Sequence, residues 1–349
     1  MHSNRILKVA FFNKELPSDK PNGVSCQVDR LANALSERGH QVTVFSFSQK
    51  PADSRYAHIQ LMYPSTIKLF RKFIPAVVYR RIDTQGFDII HYHGDDYLCK
   101  QSLRRVRTFY GSALQEAIHA VTMKRFLYQA LFYLFELCSA YKNGASICIS
   151  RSTKKSIPNI QHIIPCGVPT RKFLPGREKT NHPSIFFLGD LDSRKRGRLL
   201  VETFNNHILK SIPDCELRIA GPQHVDGSQI SYLGTIDEQQ LIQEFQRSWV
   251  YCFPSSYEGF GVPAIEAMAC GTPVVSAAHA GIADIITDNV DGIITDPDNL
   301  GNKLIDVLTN DMLRARLTIE GRKTSVTRFD THKLAKLYES VYLNLLKGS

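Results

Sequence analysis

The 349-residue chain has no CxxC pair, although it holds eight cysteines, at positions 26, 99, 138, 148, 166, 215, 252 and 270. Thiols scattered in this way argue against a zinc ribbon or a thioredoxin-type redox site and fit a reducing compartment. No stretch approaches the roughly 18 uncharged apolar residues of a membrane-spanning helix. The N-terminal MHSNRILKVAFFNKEL carries too short an apolar run for a signal peptide. No GxGxxG follows the first apolar run, which disfavours a nicotinamide-dependent oxidoreductase. With 43% hydrophobic and 22% charged residues the chain is neither disordered nor fibrous. Its length suits about two domains, each with its own core.

Acidic residues are scarce in the first half. Residues 1–172 hold 25 Lys and Arg against 11 Asp and Glu, a balance of +14, whereas residues 173–349 hold 18 against 22, a balance of −4. The net charge of +10 is therefore concentrated in one half. Such asymmetry suggests an anionic partner for that half: a membrane surface, an acidic polymer or nucleic acid. No motif with interleaved base-stacking aromatics supports nucleic acid, and none is expected as a partner.

The pattern along the chain is strand–helix alternation. ILKVAFF (6–12) is a strand, followed by a loop to Asn22-Gly23 and a helix with Val24, Val28, Leu31 and Leu35 on one face. QVTVFSF (41–47), DIIHYH (88–93), VRTF (106–109) and SICIS (146–150) continue the alternation. The polar stretch RKFLPGREKTNHPS (171–184) reads as a linker. Alternation then resumes with strands at 184–190, 216–221, 250–254, 273–277 and 293–296 and helices at 197–210, 237–247 and 263–270. The expected fold class is α/β, two Rossmann-like domains built on parallel sheets. The expected domains are residues 1–172 and 173–330, with a final helix over 331–349 packing back on the first domain.

SSYEGFGVPAIEAMACGTPVVSA (255–277) is the most informative stretch. A strand ends near Pro254, a glycine-rich loop follows, and Pro263 suits the first turn of a helix. Free backbone N–H groups at such a helix start, together with the dipole, favour phosphate. Glu258 and Glu266, eight residues apart, can face one cleft and accept hydrogen bonds from sugar hydroxyls. The spacing alone is weak, since about half a Glu-x7-Glu pair is expected by chance in a chain of this composition. The whole block in sequence, with CGTPVV and AGIADII after it, is what makes the signal.

Those residues resemble the donor-binding signature of the large retaining glycosyltransferase family 4, which has the GT-B fold. The resemblance runs over most of the chain. PNGVSCQVDRLANALSERGHQVTVF (21–45), DIIHYH, IIPCGVPTRKF (163–173), ELRIAGP and YLGTID match the family in order and spacing. It implies two Rossmann-like domains facing across an interdomain cleft, and sugar transfer from a nucleoside diphosphate sugar to a glycan, glycolipid or small-molecule acceptor. Transfer would retain the anomeric configuration and need neither metal nor cofactor. Glu258 would then contact the transferred sugar and Glu266 the ribose. The amides of Gly259, Phe260 and Gly261 would hold the diphosphate, with Gly23 approaching from the first domain and Gly221 of ELRIAGP beside the donor. Arg194, Lys195 and Arg196 sit where the family places its diphosphate-binding basic pair; Glu258, Lys195, Arg196 and Tyr110 are the expected catalytic group.

Two positions depart from the family pattern. Asp190 stands where an arginine usually follows the strand's glycine, so either Lys195 and Arg196 supply the charge or the donor is held differently. Tyr110 stands where a histidine is common. His93, Asp95, Asp96 and Tyr110 are the acceptor-side candidates; His91 and His93 can equally be structural, and Asp95-Asp96 can cap a helix instead. Asp190-Leu-Asp192 spells a DxD but lies inside the basic turn, so no metal is expected there. The segments 67–81, 100–107 and 123–142 mix basic with large apolar residues, and 67–81 with 123–130 suggest attachment to an anionic membrane, with core packing of Phe126, Tyr133 and Phe135 as the alternative. The protein is expected in the cytoplasm, peripheral on the inner face of the membrane. A nucleotide-sugar epimerase or hydrolase of the same fold, or a non-catalytic basic binding module, are the rival functions.

Overall fold

A computed structural model describes residues 5–18, 22–63, 72–118, 120 and 122–348. The chain forms two compact units, Met1–Gly167 with Thr331–Ser349, and Val168–Asp330.

The first unit contains β1 (Lys8–Phe12), α1 (Gly23–Glu37), β2 (Gln41–Ser46), β3 (Ala57–Gln60), α2 (Ile74–Tyr79) and β4 (Ile89–Tyr92). It continues with β5 (Arg105–Phe109), α3 (Ala113–Ile118), α4 (Met123–Ala140), β6 (Ala145–Cys148), α5 (Arg151–Ser156) and β7 (His162–Ile163). Its sheet runs β3-β2-β1-β4-β5-β6-β7, and the pairs are parallel. Helix α1 starts where Asn22 accepts the Ser25 amide and the Ser25 hydroxyl answers the Asn22 amide, a reciprocal cap. Val28, Leu31, Ala32 and Leu35 then face the sheet. Strand β1 is buried after its first residue, as befits a central parallel strand covered on both faces.

The second unit contains β8 (Ser184–Leu188), α6 (Gly197–Thr203), a π turn at Phe204–Ile208, α7 (Leu209–Ser211), β9 (Glu216–Ala220), β10 (Ile230–Gly234), α8 (Glu238–Arg247) and β11 (Val250–Phe253). After it come α9 (Val262–Ala269), β12 (Val274–Ala277), α10 (Ala280–Ala283), β13 (Ile293–Thr295), α11 (Leu300–Thr309) and α12 (Asp311–Arg328). The sheet order is β10-β9-β8-β11-β12-β13, parallel again. Both sheets thus have the doubly wound order in which the chain reverses direction across the sheet after its third strand.

The edge strands β3, β7 and β10 are not among the strands read from sequence. β3 and β7 are mostly exposed and β10 only half-buried, so they lack the apolar runs that mark the central strands. The stretch 171–184 is also more than a linker. Phe173 is buried, Gln246 packs on Gly176, and the Lys179 ammonium donates to the Ser248 carbonyl and the Thr272 hydroxyl. The change of unit falls at Gly167–Val168, five residues before the boundary drawn from sequence.

The last helix, α13 (Thr331–Lys347), belongs to the first unit. Leu334, Ala335, Tyr338, Val341 and Tyr342 join the cluster formed by β1, α1 and β4. The Tyr342 hydroxyl pairs with His91 Nδ1 at 2.7 Å, and Thr108 Oγ1 lies 2.8 Å from His91 Nε2. Tyr342→Ala should destabilise the protein by about 3–5 kcal/mol, and Tyr342→Phe by about 1–3 kcal/mol because it leaves a buried ring nitrogen unpaired. Urea unfolding of both variants measures this; equal stability of wild type and Tyr342→Phe would show that the hydroxyl contributes nothing.

Candidate functional site

In a doubly wound sheet, the strand-order reversal leaves two neighbouring loops to diverge at the carboxyl ends of the strands, and a crevice opens there. In the second unit that point lies between β8 and β11. The loop after β8 carries Arg194, Lys195 and Arg196, and the loop after β11 carries Ser255 through Gly261.

Glu258 is the centre of the arrangement. Arg194 Nη1 lies 2.5 Å from its Oε2, Lys195 Nζ lies 2.7 Å from its Oε1, and the Ser255 hydroxyl donates to Oε1 at 3.0 Å. Burial acts to raise the Glu258 pKa, but the Lys195 and Arg194 charges outweigh it and hold the carboxyl below its usual range. Arg194 also donates to the Tyr257 carbonyl at 2.7 Å, and the Ser256 amide donates back to the Arg194 carbonyl at 2.9 Å, so the two loops are stitched together. Lys195 Nζ lies 5.1 Å from the centre of the Phe253 ring.

The Gly259–Gly261 segment leads into α9, and the N–H groups of these three residues make no hydrogen bond to a described residue. Gly261 (φ +124°) is the residue before the helix, in a conformation that side chains resist. A Cβ on Gly281 would lie 2.4 Å from the Phe260 carbonyl oxygen, so only glycine there lets α10 approach the loop. The Phe260 side chain is buried and lies edge-on to Phe329, so it belongs to the core, leaving its backbone as the part that can meet a ligand. Glu266 is buried in α9, and both it and Glu258 lie within electrostatic reach of Tyr251 on β11. Gly221 closes the β9 end: its amide donates to the Gly234 carbonyl at 2.9 Å.

Arg196 stands apart from its neighbours. Its backbone is left-handed (φ 54°) and begins α6, and its side chain has no ion pair or hydrogen bond with a described residue. Asp190 Oδ1 accepts the Asp192 amide at 3.0 Å, while Asp192 pairs with Arg198 through two contacts, at 2.6 and 2.9 Å.

His279 was not singled out in the sequence; nothing in AAHAGIADII marks it. It caps α10, its Nδ1 accepting the Ile282 amide at 3.2 Å, and its buried Nε2 has no partner. Burial pushes its pKa down to about 4, with Glu258, Lys195 and Arg194 all within electrostatic reach.

In the first unit the corresponding reversal lies between β1 and β4. Gly23 opens α1 beside it with no neighbour within 4 Å of where a Cβ would stand. His93 follows β4, and its Nδ1 lies 2.9 Å from the Tyr110 hydroxyl. Burial raises the Tyr110 phenol well above its ordinary pKa, so it stays neutral and serves as a hydrogen-bonding group. His91 is fully paired, as described above, and is structural. Asp96 is also structural: its Oδ2 accepts from Arg105 Nε at 2.7 Å, its Oδ1 from the Ser139 hydroxyl at 2.5 Å, and all three side chains are buried. It neither caps a helix nor offers a carboxylate to an acceptor. Asp95 takes a left-handed backbone (φ 56°) and has no partner among the described residues.

Two family models cover most of the chain. One, described as Glycosyltransferase Family 4, matches residues 21–172, and the other, Glycosyl transferases group 1, matches residues 171–324. The chain belongs to the family 4 glycosyltransferases. This glycosyltransferase is 24% identical, over 93% of its own length and 94% of the other chain, to a phosphatidyl-myo-inositol mannosyltransferase of Mycobacterium tuberculosis. Its fold is similar to that of a sucrose-phosphate synthase from Thermosynechococcus elongatus, with a TM-score of 0.78, 21% identity, and 98% and 100% of the two chains covered. It is also similar to Anabaena HepE in complex with UDP-glucose, with a TM-score of 0.75, 13% identity, and 97% and 100% covered. Two Rossmann-like domains of the GT-B type are therefore established for this glycosyltransferase.

The His279 pKa gives a test of the site's electrostatics. A histidine held neutral adds stability that is fully present above its unfolded pKa of 6.5 and is lost as pH falls towards about 4. Relative to His279→Gln, the wild type should lose roughly 3 kcal/mol between those two values. Parallel unfolding curves across that window measure it, and a constant difference would remove His279 from the buried site.

Proposed function

We propose that this glycosyltransferase moves a hexosyl group from a nucleoside diphosphate sugar to a hydroxyl of a glycan, glycolipid or small-molecule acceptor, with retention of anomeric configuration and without a metal. The observation that carries the reading is the Arg194–Lys195–Glu258 cluster beside three unpartnered amides at the start of α9. Amides at a helix start bind phosphate oxygens, and a guanidinium with an ammonium beside them supplies positive charge for a diphosphate. On this reading the bond from the sugar's anomeric carbon to the diphosphate oxygen breaks, the acceptor oxygen bonds to that carbon, and the acceptor's proton passes to the departing diphosphate. Lys195 and Arg194 stabilise the charge that develops on the leaving group. Glu258, kept ionised, accepts sugar hydroxyls; Glu266 takes the ribose. Lys195 is the catalytic cation here in preference to Arg196, since Lys195 and Arg194 converge on Glu258. Asp190 then needs no arginine at its place, because the positive charge comes from the far end of the same loop.

The relatives are named for mannosyl transfer and one fold neighbour holds UDP-glucose, so a mannosyl and a glucosyl nucleotide are the first donors to try. Calorimetry with UDP, GDP and ADP should show one nucleotide bound, with Glu266→Ala weakening it and Lys195→Ala lowering turnover by about 100- to 1,000-fold. EDTA should leave turnover unchanged. No nucleotide binding to the wild type, or loss of activity in EDTA restored by a divalent cation, contradicts the reading.

Peripheral attachment to an anionic membrane is the second part of the proposal. Among the described residues no helix is long and apolar enough to cross a membrane. Helix α4 exposes Met123, Phe126, Leu127, Leu131 and Leu134 along one side, next to Lys124 and Arg125, while Tyr133 and Phe135 turn inward. Residues 67–71 of the other basic segment lie outside the described residues. An amphipathic basic helix of this kind suits an anionic interface. Vesicles with anionic lipid should float the protein and neutral ones should not, and Leu127→Glu/Leu131→Glu should abolish flotation; equal recovery from both vesicles sinks the idea.

A further inference from the structure

The carboxyl end of β12 holds a polar atom that neither the helix caps nor the ion pairs of the second unit use. His279 lies two residues past β12, and the flanking Ala278 and Ala280 are exposed, so the segment stands at the surface of the unit. Its imidazole turns inward: Nε2 is buried and has no hydrogen-bond partner among the described residues. Buried polar atoms without partners are rare in a folded protein, and each calls for a reason.

The cap on α10 fixes what that atom offers. The Ile282 amide donates to Nδ1 at 3.2 Å, and a ring nitrogen that accepts an N–H carries no proton of its own. An imidazolium could not form this cap, since both its nitrogens would be donors. Burial also disfavours charge on the ring. The ring is therefore neutral with its proton on Nε2, and the unpaired atom is a donor only.

Packing as well as charge places that donor beside Glu258. The Phe253 ring is the shared surface. The imidazole stands edge-on to it, with ring centres 5.5 Å apart and planes at 72°, and the Lys195 ammonium lies 5.1 Å from its centre. A Cβ on Gly261 would come within 3.3 Å of the same ring. Two residues after His279, a Cβ on Gly281 would lie 2.7 Å from the Glu258 carbonyl oxygen. The start of α10 thus rests on the backbone of the residue whose carboxylate holds Arg194 and Lys195. After burial, Glu258 is the group that acts on the imidazole most strongly.

We propose that His279 is a specificity-determining residue of the donor site: its Nε2–H donates to a hydroxyl oxygen of the transferred sugar, while that hydroxyl donates to the Glu258 carboxylate. This rests on the transferase reading above. A hydroxyl can do both, having one proton to give and lone pairs with which to accept. Arg194 and Lys195 rest on Glu258 and are the groups that turn to a diphosphate; their departure frees the carboxylate and the side of the imidazole that faces it. A phosphate oxygen is the poorer partner for His279, because two cations and the α9 amides already serve it and a neutral donor adds less there than a charged one. The inference narrows the donor to a sugar with a free hydroxyl at the position Glu258 takes, excluding one deoxygenated or substituted there.

Asparagine and glutamine separate the two ring nitrogens. In His279→Asn the side-chain oxygen falls near the Nδ1 position and keeps the α10 cap, but the side chain ends short of Nε2. In His279→Gln the amide reaches the Nε2 position and the cap is lost. Calorimetry with UDP-glucose, GDP-mannose and ADP-glucose, each against its own nucleoside diphosphate, reads the sugar's share of binding as the ratio of the two dissociation constants in the pair that binds. That ratio should worsen about tenfold in His279→Asn and stay within about threefold in His279→Gln, with the nucleoside diphosphate bound alike by both variants and the wild type. A ratio unchanged in His279→Asn, or worsened as much in His279→Gln, overturns the proposal; a cap with no ligand role would make His279→Gln the less stable variant and leave both ratios where they were. His279→Ser, which also keeps a capping oxygen, stands in for His279→Asn if that variant does not fold. Failure of this kind with nucleotide binding intact leaves the transferase reading standing, whereas a wild type that binds none of the three nucleotides strikes that reading and this one together.

Discussion

The reversal of strand order in each parallel sheet is the constraint on which everything else rests. A parallel strand cannot be followed directly by its neighbour; the chain must cross over through a helix, and right-handed crossovers fill one side of the sheet before the other. Once β8, β9 and β10 have run out to one edge, the chain has to return and place β11 on the free side of β8. The loops leaving β8 and β11 therefore diverge from adjacent strands, and only there can side chains from distant sequence meet above the sheet without crowding. Arg194 and Lys195 meet Glu258 across some 60 residues because the topology leaves them nowhere else to go. The first unit repeats the device between β1 and β4, with His93 and Asp95 in the loop that leaves β4.

Around that constraint the chemistry of the second unit is a balance of charge and dipole. Glu258 is partly buried, which alone would favour its neutral form, and two cations hold it ionised. The same two cations keep the loops joined while the amides of Gly259–Gly261 stay unpaired. A diphosphate arriving at the start of α9 would offer Arg194 and Lys195 a second, doubly charged partner at little structural cost, since the donors are already in place. The close approach of Gly281 to the Phe260 carbonyl fixes the loop from behind, so preorganisation comes from packing as much as from ion pairs.

The first unit uses charge differently. Arg105, Asp96 and Ser139 form a closed, buried network, the kind of arrangement in which every polar group has a partner and rigidity results. Next to it Arg107, His93, Tyr79 and Tyr97 are left incomplete. The last helix matters here as well: α13 seals the opposite side of β4 and β5 through Tyr338 and Tyr342, which fixes His91 and so the position of the strand that carries His93.

Much of this was legible in the sequence. Central parallel strands are buried on both faces and so read as apolar runs, which is why β1, β4, β8, β11 and β12 and the two-domain α/β plan could be read from composition and periodicity. The glycine-rich loop before Pro263, with Glu258 and Glu266 flanking it, was readable because a helix start and its preceding loop are local in the chain. Edge strands β3, β7 and β10 were not, since half-exposed strands leave no continuous apolar run. Nor could the sequence separate Asp95 from Asp96: adjacent residues of one type, they end as an unpartnered carboxylate and a buried ion-pair partner only because Arg105 on the next strand and Ser139 on α4 fold against one and not the other. Likewise Lys195 pairs with Glu258 while its neighbour Arg196, left-handed at the start of α6, does not, and His279 comes within electrostatic reach of Glu258 through α10, which packs against the Glu258 loop. Local spacing determines where a helix begins and which face is apolar; which charges meet depends on the crossovers between strands, and those exist only in three dimensions.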